Sequence, residues 1–187
     1  MPGCDGKFRE SEEQLTVILA QQGDGEAVRQ LVELYDRRLL YFLRRILGET
    51  EDAFDVLQMV WLTVHRNLRK LKSPRAFRVW VYQIAHAQAI SHYRKITRQQ
   101  ILVEEWGRNT PTEQLVDETP FENAEIVHLA LNALSVDHRR LLTLRFLEDM
   151  SLEDIAEVLQ CRSGTVKSRL HYAKTALRRR IEEMDHA

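Results

Sequence analysis

The side chains best suited to chemistry lie in a short stretch near the C-terminus. They are cations and hydroxyls with one imidazole, and no acidic residue occurs from Thr165 to Ile181. Side chains of these types neutralise phosphate groups and donate hydrogen bonds to the edges of bases. The stretch therefore predicts noncovalent binding to a nucleic acid. The candidate contacts are Arg162, Ser163, Thr165, Lys167, Ser168, Arg169, His171 and Lys174.

Two helices and a tight turn must position these side chains. In residues 150–170, Ser151 and Asp154 have the spacing of a capping box that opens a short amphipathic helix, and a longer helix begins near Gly164. Val166 and Leu170 are four positions apart, so they can hold the second helix on the first while its polar end enters a major groove. This pattern is typical of a DNA-binding helix-turn-helix. A solvated basic face on a core helix would be the first interpretation of an isolated basic helix, but the turn and the preceding helix favour DNA.

Other kinds of chemistry find no support in the sequence. His86 and His92 are six positions apart, a spacing that does not place both rings on one helical face for a metal. Cys4 and Cys161 are too few for a disulfide framework or a four-ligand zinc site. No Ser-His-Asp or Cys-His arrangement and no glycine-rich phosphate loop occurs. We expect no catalytic residue, no metal site and no cofactor.

The spacing of apolar residues predicts helices along the whole chain. Apolar residues recur at three- and four-residue steps from Ala27 to Leu47, from Asp52 to Leu71 and from Ser73 to about Lys95, and again from Glu122 onward. Gly48 is predicted to cap the end of the first of these helices, and Ser73 the start of the third. Phe54 falls on the core stripe of the second of these helices and Phe146 on that of the helix after Ser135. No convincing strand pattern appears. The sequence predicts an all-α protein of two small helical domains joined by a flexible linker, divided as 1–25 (tail and start of the first helix), 26–96, 97–122 (acidic linker) and 123–187.

Charge is distributed unevenly along the chain. Lys and Arg total 27 and Asp and Glu total 28, for a net charge of -1 that argues against nucleic acid at first sight. Residues 26–96, however, hold thirteen basic and seven acidic side chains, while residues 97–122 hold only two basic side chains against six acidic ones. The neutral total conceals two basic regions, one in each predicted domain.

No part of the sequence predicts a membrane or secreted protein. No apolar run approaches the roughly 18 residues of a membrane span, and the N-terminus lacks the apolar core of a secretory signal. We expect a cytoplasmic protein without membrane insertion.

Three segments resemble a known family. Gly164-Thr-Val-Lys-Ser-Arg-Leu170 is similar to region 4 of bacterial RNA polymerase sigma factors of the extracytoplasmic function (ECF) group. Asp52-Ala-Phe-Asp-Val-Leu-Gln-Met-Val-Trp61 resembles their region 2.2, and Phe77-Arg-Val-Trp-Val-Tyr-Gln-Ile-Ala85 resembles region 2.3 leading into region 2.4. The segments occur in the family's order, and with the two predicted domains and the linker between them the resemblance extends over nearly the whole chain.

The resemblance implies that the protein docks on core RNA polymerase. The region 2.2 helix of the family binds the clamp helices of the largest subunit, and the C-terminal domain binds the flap. Asp55, Gln58, Met59 and Leu62 lie off the core stripe and are the residues that would form the clamp-helix face. An exposed polar face with one stray leucine is the alternative interpretation of these residues alone. Met59 stands where the family often has an acidic residue.

The resemblance also implies recognition of promoter DNA. The helix-turn-helix would bind the -35 duplex, and the helix after Ser73 would capture the -10 element, a task that needs cations for the backbone and flat groups for unstacked bases. Trp80 and Phe77 also fall on the apolar stripe, where a core position is favoured. The candidate -10 contacts are Lys70, Lys72, Arg75, Arg78, Trp80, Tyr82, Gln83 and His86.

An anti-sigma factor is a further partner that the resemblance implies. Two other classes of protein remain open. One is a helix-turn-helix regulator that binds duplex DNA without engaging polymerase. The other is a protein-interaction module that has lost promoter melting, for which Ala87 and Ser91 give slight support because the family often has Asn and Asp there.

Overall fold

The chain folds into eight α-helices over the residues that the structure describes. A computed structural model describes residues 4–48, 51–104 and 122–185, with side chains over 11–48, 51–96 and 127–184, and every regular element within these residues is helical. We call α1–α4 the N-terminal unit and α5–α8 the C-terminal unit. The helices are α1 (Cys4–Gln22), α2 (Gly25–Leu47), α3 (Glu51–Asn67), α4 (Phe77–Glu104), α5 (Glu122–Asn132), α6 (Val136–Leu142), α7 (Leu152–Val158) and α8 (Ser163–Asp185).

Local capping determines both ends of α2. The Asp24 side chain accepts hydrogen bonds from the backbone N–H groups of Glu26 and Ala27, at 2.8 and 3.3 Å, which satisfies donors that have no partner within the helix. Gly48 has a φ of 89° and its N–H donates to the Arg44 carbonyl at 2.8 Å. The prediction that Gly48 caps this helix is confirmed.

The connection from α3 to α4 is made of two short 3-10 turns, Leu68–Lys70 and Pro74–Ala76. Proline occupies the start of the second turn, where its missing N–H costs nothing, whereas the predicted cap of Ser73 makes no side-chain hydrogen bond. Helix α4 then continues to Glu104, beyond the end expected near Lys95. The remainder of the predicted acidic linker, residues 105–121, lies outside the described residues.

Aromatic side chains fill the core of the N-terminal unit. Tyr35 meets Phe77 edge to face with ring centroids 5.3 Å apart, and Phe42 meets Tyr82 at 5.3 Å in the same geometry. All four side chains are fully buried. Helix α1 packs against α2, and the Tyr35 hydroxyl donates to the Glu13 carboxylate at 2.5 Å. Residues 4–22, expected to form a tail and the start of a helix, are helical and belong to this unit.

The C-terminal unit is built around the predicted capping box. Ser151 Oγ accepts from the Asp154 N–H at 3.0 Å, and the Asp154 carboxylate accepts from the Ser151 N–H at 3.1 Å, which confirms that α7 begins here. The core of this unit includes the buried side chains of Leu144, Met150, Ile155, Val166 and Ala173.

Two aromatic residues assigned to the core by periodicity lie on the surface. Phe54 is 47% exposed and lies beneath the Arg44 guanidinium, 5.2 Å from the ring centroid. Phe146 is 59% exposed because α6 runs into a π-helical turn, Thr143–Leu147, whose wider winding changes which side chains face inward. The prediction of a core position was wrong for both.

The two units pack against each other. Helix α4 contacts α7 and α2 contacts α6, so buried side chains of both units form one cluster. Within the described residues no helix combines the length and the apolar character needed to cross a membrane.

Candidate nucleic-acid interface

Helices α7 and α8 form a helix-turn-helix around a tight turn. Gln160 has a φ of 51°, and the Cys161 N–H donates to the Ala156 carbonyl at 2.9 Å, so the chain reverses within a few residues. Val166 is fully buried and Leu170 is 8% exposed, as expected for the side chains that hold α8 on the rest of the unit. The spacing of these apolar residues thus positions the first turns of α8.

The polar side chains at the start of α8 face outward. Thr165 is half-buried, and the other seven predicted contacts in this region are exposed. Among the contacts described, none of the seven makes a hydrogen bond or ion pair with the N-terminal unit. Ser168 Oγ donates a hydrogen bond within α8, to the Thr165 carbonyl at 3.1 Å. This surface can therefore meet an anionic duplex without rearrangement, with the helix N-terminus adding a favourable field for phosphate. The exposed seven are Arg162, Ser163, Lys167, Ser168, Arg169, His171 and Lys174.

A second set of cations surrounds the start of α4. Lys70, Lys72 and Arg75 are exposed in the connection from α3 to α4. Gln21 on α1 holds this connection in place, because its Nε2 donates to the carbonyls of Leu68 and Leu71 at 2.9 and 2.7 Å. The structure thus brings these cations together on one loop.

Tyr82 of α4, one of the predicted DNA contacts, lies in the core. Tyr82 is fully buried against Phe42, and burial together with the negative charge of Glu148 raises the pKa of its hydroxyl. A side chain without accessible surface cannot stack on a base, so the prediction of Tyr82 as a DNA contact was wrong. Trp80 remains half-buried, with its ring 6.1 Å from that of Phe77.

The remaining polar residues of α4 bond to the C-terminal unit. Arg78 Nη1 donates to the Glu148 carbonyl at 3.3 Å, and Gln83 Nε2 donates to the Glu157 carbonyl at 3.2 Å. His86 Nε2 lies 2.9 Å from Arg140 Nη1. Burial and the charge of Arg140 lower the pKa of His86 to about 4, so the imidazole is neutral and accepts this hydrogen bond.

Glu148 is a central residue of the interface between the two units. Its role there was not predicted from the sequence. It is only 4% exposed, and its carboxylate accepts a hydrogen bond from Arg38 Nη2 at 2.6 Å. Its partners come from α2 and α4, far away along the chain. No local pattern around Glu148 signals such a contact.

The predicted polymerase-docking face lies on α3. Asp55, Gln58, Met59 and Leu62 are all exposed, with Met59 and Leu62 each 47% exposed. Exposed Phe54 extends the apolar part of this face. Gln58 and Leu62 also line an open groove of about 970 Å³ between α2 and α3. The arrangement is an apolar strip bordered by polar groups, which suits docking of another protein.

An apolar groove lies on the C-terminal unit. It has a volume of about 550 Å³ and includes Phe146 and Leu147, which are 59% and 53% exposed. Lys174 and Arg178 of α8 also line the groove and supply its positive charge. Exposed apolar side chains gathered in one groove mark a surface for another protein.

Metal binding finds no support in the part of the chain that the structure describes, where no group of three His, Cys, Asp or Glu side chains is placed to hold an ion. His92 Nε2 instead lies 3.2 Å from the Asp52 carboxylate.

Comparison with known protein families matches both units. The family described as Sigma-70 region 2 matches residues 31–99, and the family described as Sigma-70, region 4 matches residues 124–177. The first match covers the helices with the candidate docking face and α4, and the second covers the helix-turn-helix.

Two curated relatives extend the similarity over almost the full length. The RNA polymerase sigma-H factor of Pseudomonas aeruginosa is 30% identical over 186 residues, covering 94% of this chain and 96% of the relative. The ECF RNA polymerase sigma-E factor of Haemophilus influenzae is 30% identical over 183 residues, covering 92% and 96%.

A solved structure shares the fold. The sigma factor RpoE of Bartonella quintana, crystallised with the anti-sigma factor NepR, superposes with a TM-score of 0.69 at 21% identity, covering 82% of this chain and 96% of that one.

Proposed function

Because the chain belongs to the ECF group of bacterial RNA polymerase sigma factors, we propose that a different surface of the chain carries out each step of promoter recognition. The protein is a transcription initiation factor that binds core RNA polymerase and directs initiation at specific promoters. Its family is non-enzymatic, so the bond-forming chemistry belongs to the polymerase.

The first half of α8 reads the -35 duplex. Its exposed cations and hydroxyls sit at the N-terminal end of a helix that Val166 and Leu170 hold in a helix-turn-helix. In such motifs the N-terminal residues of the second helix contact base edges in the major groove. Lys167 and Arg169 are the leading candidates for these contacts because both are charged and exposed.

The N-terminal unit captures the -10 strand. Lys70, Lys72 and Arg75 provide phosphate contacts from the loop, while Arg78, Gln83 and His86 offer polar groups along α4. Half-buried Trp80 provides an aromatic surface beside them. Cations along a groove with an aromatic platform are the features that bind single-stranded nucleic acid.

Two apolar surfaces serve the polymerase. We assign the α3 face of Asp55, Gln58, Met59 and Leu62 to the clamp helices of the largest subunit. The groove of the C-terminal unit, with Phe146 at its rim, is assigned to the flap. Engagement of polymerase also places the protein in the cytoplasm. An anti-sigma factor is the proposed inhibitory partner, which the complex of the similar Bartonella quintana sigma factor with NepR supports.

The exposed cationic start of α8 on a packed helix-turn-helix is the observation that carries the proposal. The test mixes the full chain with core polymerase and a library of promoter fragments and sequences the transcripts. Transcripts that start at one class of promoter support the proposal. DNA binding without polymerase association would support a conventional helix-turn-helix regulator, and binding to neither would support a protein-interaction module.

Variants of α8 connect the transcripts to the proposed residues. Lys167→Ala and Arg169→Ala should each lower promoter-specific initiation. Arg179→Ala is the matched control, since this exposed cation lies on the same helix but is paired with Glu183 at 2.8 Å. An equal loss of initiation in all three variants would show that the effect comes from net charge. That result would contradict the role of α8 as the recognition helix.

A further inference from the structure

We propose that the cleft between α4 and the C-terminal unit is a binding site for a nucleoside polyphosphate. The cleft is an open space of about 840 Å³, lined by one side of α4 and by Arg140, Leu159 and Gln160 of the C-terminal unit. Pockets for small organic ligands have volumes of roughly 300–1,000 Å³, so the space is large enough for a nucleotide. We call it the α4 cleft.

Cations line both ends of the α4 cleft. Arg140 lies at one end, with its Nη1 2.9 Å from His86 Nε2. Arg94 and Lys95 lie at the other end, about two helical turns or roughly 12 Å further along α4. Both are exposed, and among the contacts described neither forms an ion pair. The carboxylate paired with Arg140 is that of Asp137, which is 65% exposed, so the cleft holds more positive charge than its own side chains neutralise.

Arg140 is the cation that most needs an anionic partner. Its side chain is 13% exposed, and its Nε is buried without a hydrogen-bond partner among the described residues. Burial lowers the pKa of Arg140 against the opposing charge of Asp137, and the nearby charge of Arg169 lowers it further. Burial and the charge of Arg140 lower the pKa of His86 in turn. A phosphate group in the cleft would offset this desolvated positive charge.

Apolar side chains form the middle of the cleft. Ala87 and Ile90 lie between the two cationic ends on α4, and Leu159 contributes apolar surface from the C-terminal unit. A flat base can pack on such a surface, whereas a simple anion gains nothing from it. Polar groups that can bond to a base edge or a sugar hydroxyl complete the lining. They belong to Gln83, Ser91 and Gln160.

A nucleotide in the α4 cleft would contact both units. It would stabilise the protein by mass action, because it binds the folded chain and not the unfolded one. It would also cover Gln83 and His86, two of the proposed -10 contacts, and so compete with the promoter strand. That competition rests on the proposed function, whereas binding of the nucleotide does not.

The test compares cations inside the cleft with cations outside it. Arg94→Gln with Lys95→Gln removes two exposed charges from one end of the cleft. Arg66→Gln with Arg69→Gln makes the same change at exposed arginines that line the groove between α2 and α3, and is the control. Ala87→Glu adds a carboxylate to the middle of the cleft, at an exposed helical position that glutamate tolerates.

Isothermal titration calorimetry on the full-length protein measures the Kd for ATP, GTP, pyrophosphate and adenosine at one ionic strength. ATP or GTP should bind at least about tenfold more tightly than pyrophosphate or adenosine, because only a nucleotide uses the cationic ends and the apolar middle together. Each cleft variant should weaken nucleotide binding by about tenfold, through loss of attractive charge or gain of repulsive charge. The control should bind nucleotides as the wild type does.

Competition tests the consequence for the promoter strand. Nucleotide added to the wild type should release a fluorescent single-stranded -10 oligonucleotide, and the cleft variants should need about tenfold more nucleotide for the same release. Nucleotide binding without release would overturn the competition and leave the nucleotide site in place.

Each other outcome counts against the nucleotide site. Absence of measurable binding of both nucleotides would overturn it, and so would pyrophosphate or adenosine binding as tightly as they do. Equal weakening in the cleft variants and the control would assign the binding to net charge. An oligonucleotide that binds through Arg94 and Lys95 when nucleotides do not would make the cleft part of the DNA path. Promoter-specific transcription in any of these cases would leave the proposed function intact.

Discussion

The carboxylate of Glu148 lies 2.6 Å from the guanidinium of Arg38, although 110 positions separate the two residues in the chain. The acid is buried and the base is partly exposed, so the two ends of this ion pair differ in their cost of desolvation. A carboxylate that loses its partner inside the protein stays unsatisfied, whereas a partly exposed arginine that loses its partner is solvated by water.

Arg38→Ala should therefore lower the free energy of unfolding by about 1–3 kcal/mol, towards the lower end because Arg38 is partly exposed to solvent. Urea denaturation followed by circular dichroism measures the change. The same substitution in a Glu148→Gln background should cost less, since the buried charge is gone. Equal costs in the two backgrounds would show that the pair has no coupling energy.

Stability should fall with acid because of His86. Burial and the charge of Arg140 lower the pKa of His86 from 6.5 to about 4. Between these two pH values the ring is protonated in the unfolded chain and neutral in the folded chain. The stabilisation is complete above about pH 6.5 and is lost as the pH falls from there towards about 4. The slope is at most about 1.4 kcal/mol per pH unit, and less here because the ring keeps some contact with solvent.

Urea denaturation across this pH range measures the slope. The charged groups around His86 are Arg140 and Asp137 on α6 and, at the rim of the same cleft, Arg94 and Lys95 on α4. His86→Gln should flatten the dependence, while a substitution of the same type at exposed His65 on α3 should leave it in place. A slope that survives His86→Gln would assign it to another group.

The -35 surface can be tested by salt dependence. Lys167→Ala or Arg169→Ala should weaken binding of the -35 duplex by about 1–3 kcal/mol if the side chain contacts a base edge. If it contacts only phosphate, binding weakens less and the dependence of the Kd on salt becomes shallower. Anisotropy titrations over a series of salt concentrations distinguish these cases. Unchanged binding in both variants would remove α8 as the recognition helix.

The polymerase-docking face can be tested by a double variant. Asp55→Arg with Leu62→Ala should reduce association with core polymerase, because it reverses one charge and removes an apolar side chain that is 47% exposed. Its affinity for the -35 duplex should be unchanged. Pull-down of core subunits provides the measurement.

The control for that variant lies on α1. Glu12→Arg with Leu15→Ala makes the same two changes on another surface, where Leu15 is 57% exposed. Retained polymerase binding by the α3 variant, or an equal loss in the α1 control, would contradict the proposed docking face.

Local features of the sequence predicted much of the fold. The capping box of Ser151 and Asp154, the cap at Gly48 and the apolar pair Val166 and Leu170 all depend on neighbours within one or two helical turns. Such features are visible in the sequence because their partners are three or four residues away. They were sufficient to identify the helix-turn-helix and its outward-facing cations.

Contacts between the two units could not be predicted in the same way. The partners of Glu148 and His86 lie on distant elements, and helical periodicity carries no information about which faces meet. Tyr82 was misassigned for a related reason, since its polar and aromatic character suits DNA until its burial against Phe42 is known. Phe146 was misassigned because a π-helical turn breaks the regular spacing on which periodicity depends.

The two hydrogen bonds of the Gln21 amide have a consequence for how the N-terminus is handled in the laboratory. Helix α1 has no proposed contact with DNA or polymerase, yet Gln21 braces the loop of Lys70 and Lys72 by binding the carbonyls of Leu68 and Leu71. Proteolytic trimming into α1 or a bulky fusion tag there would loosen this brace. The damage would appear as a change in promoter preference, at a distance from the cut or the tag.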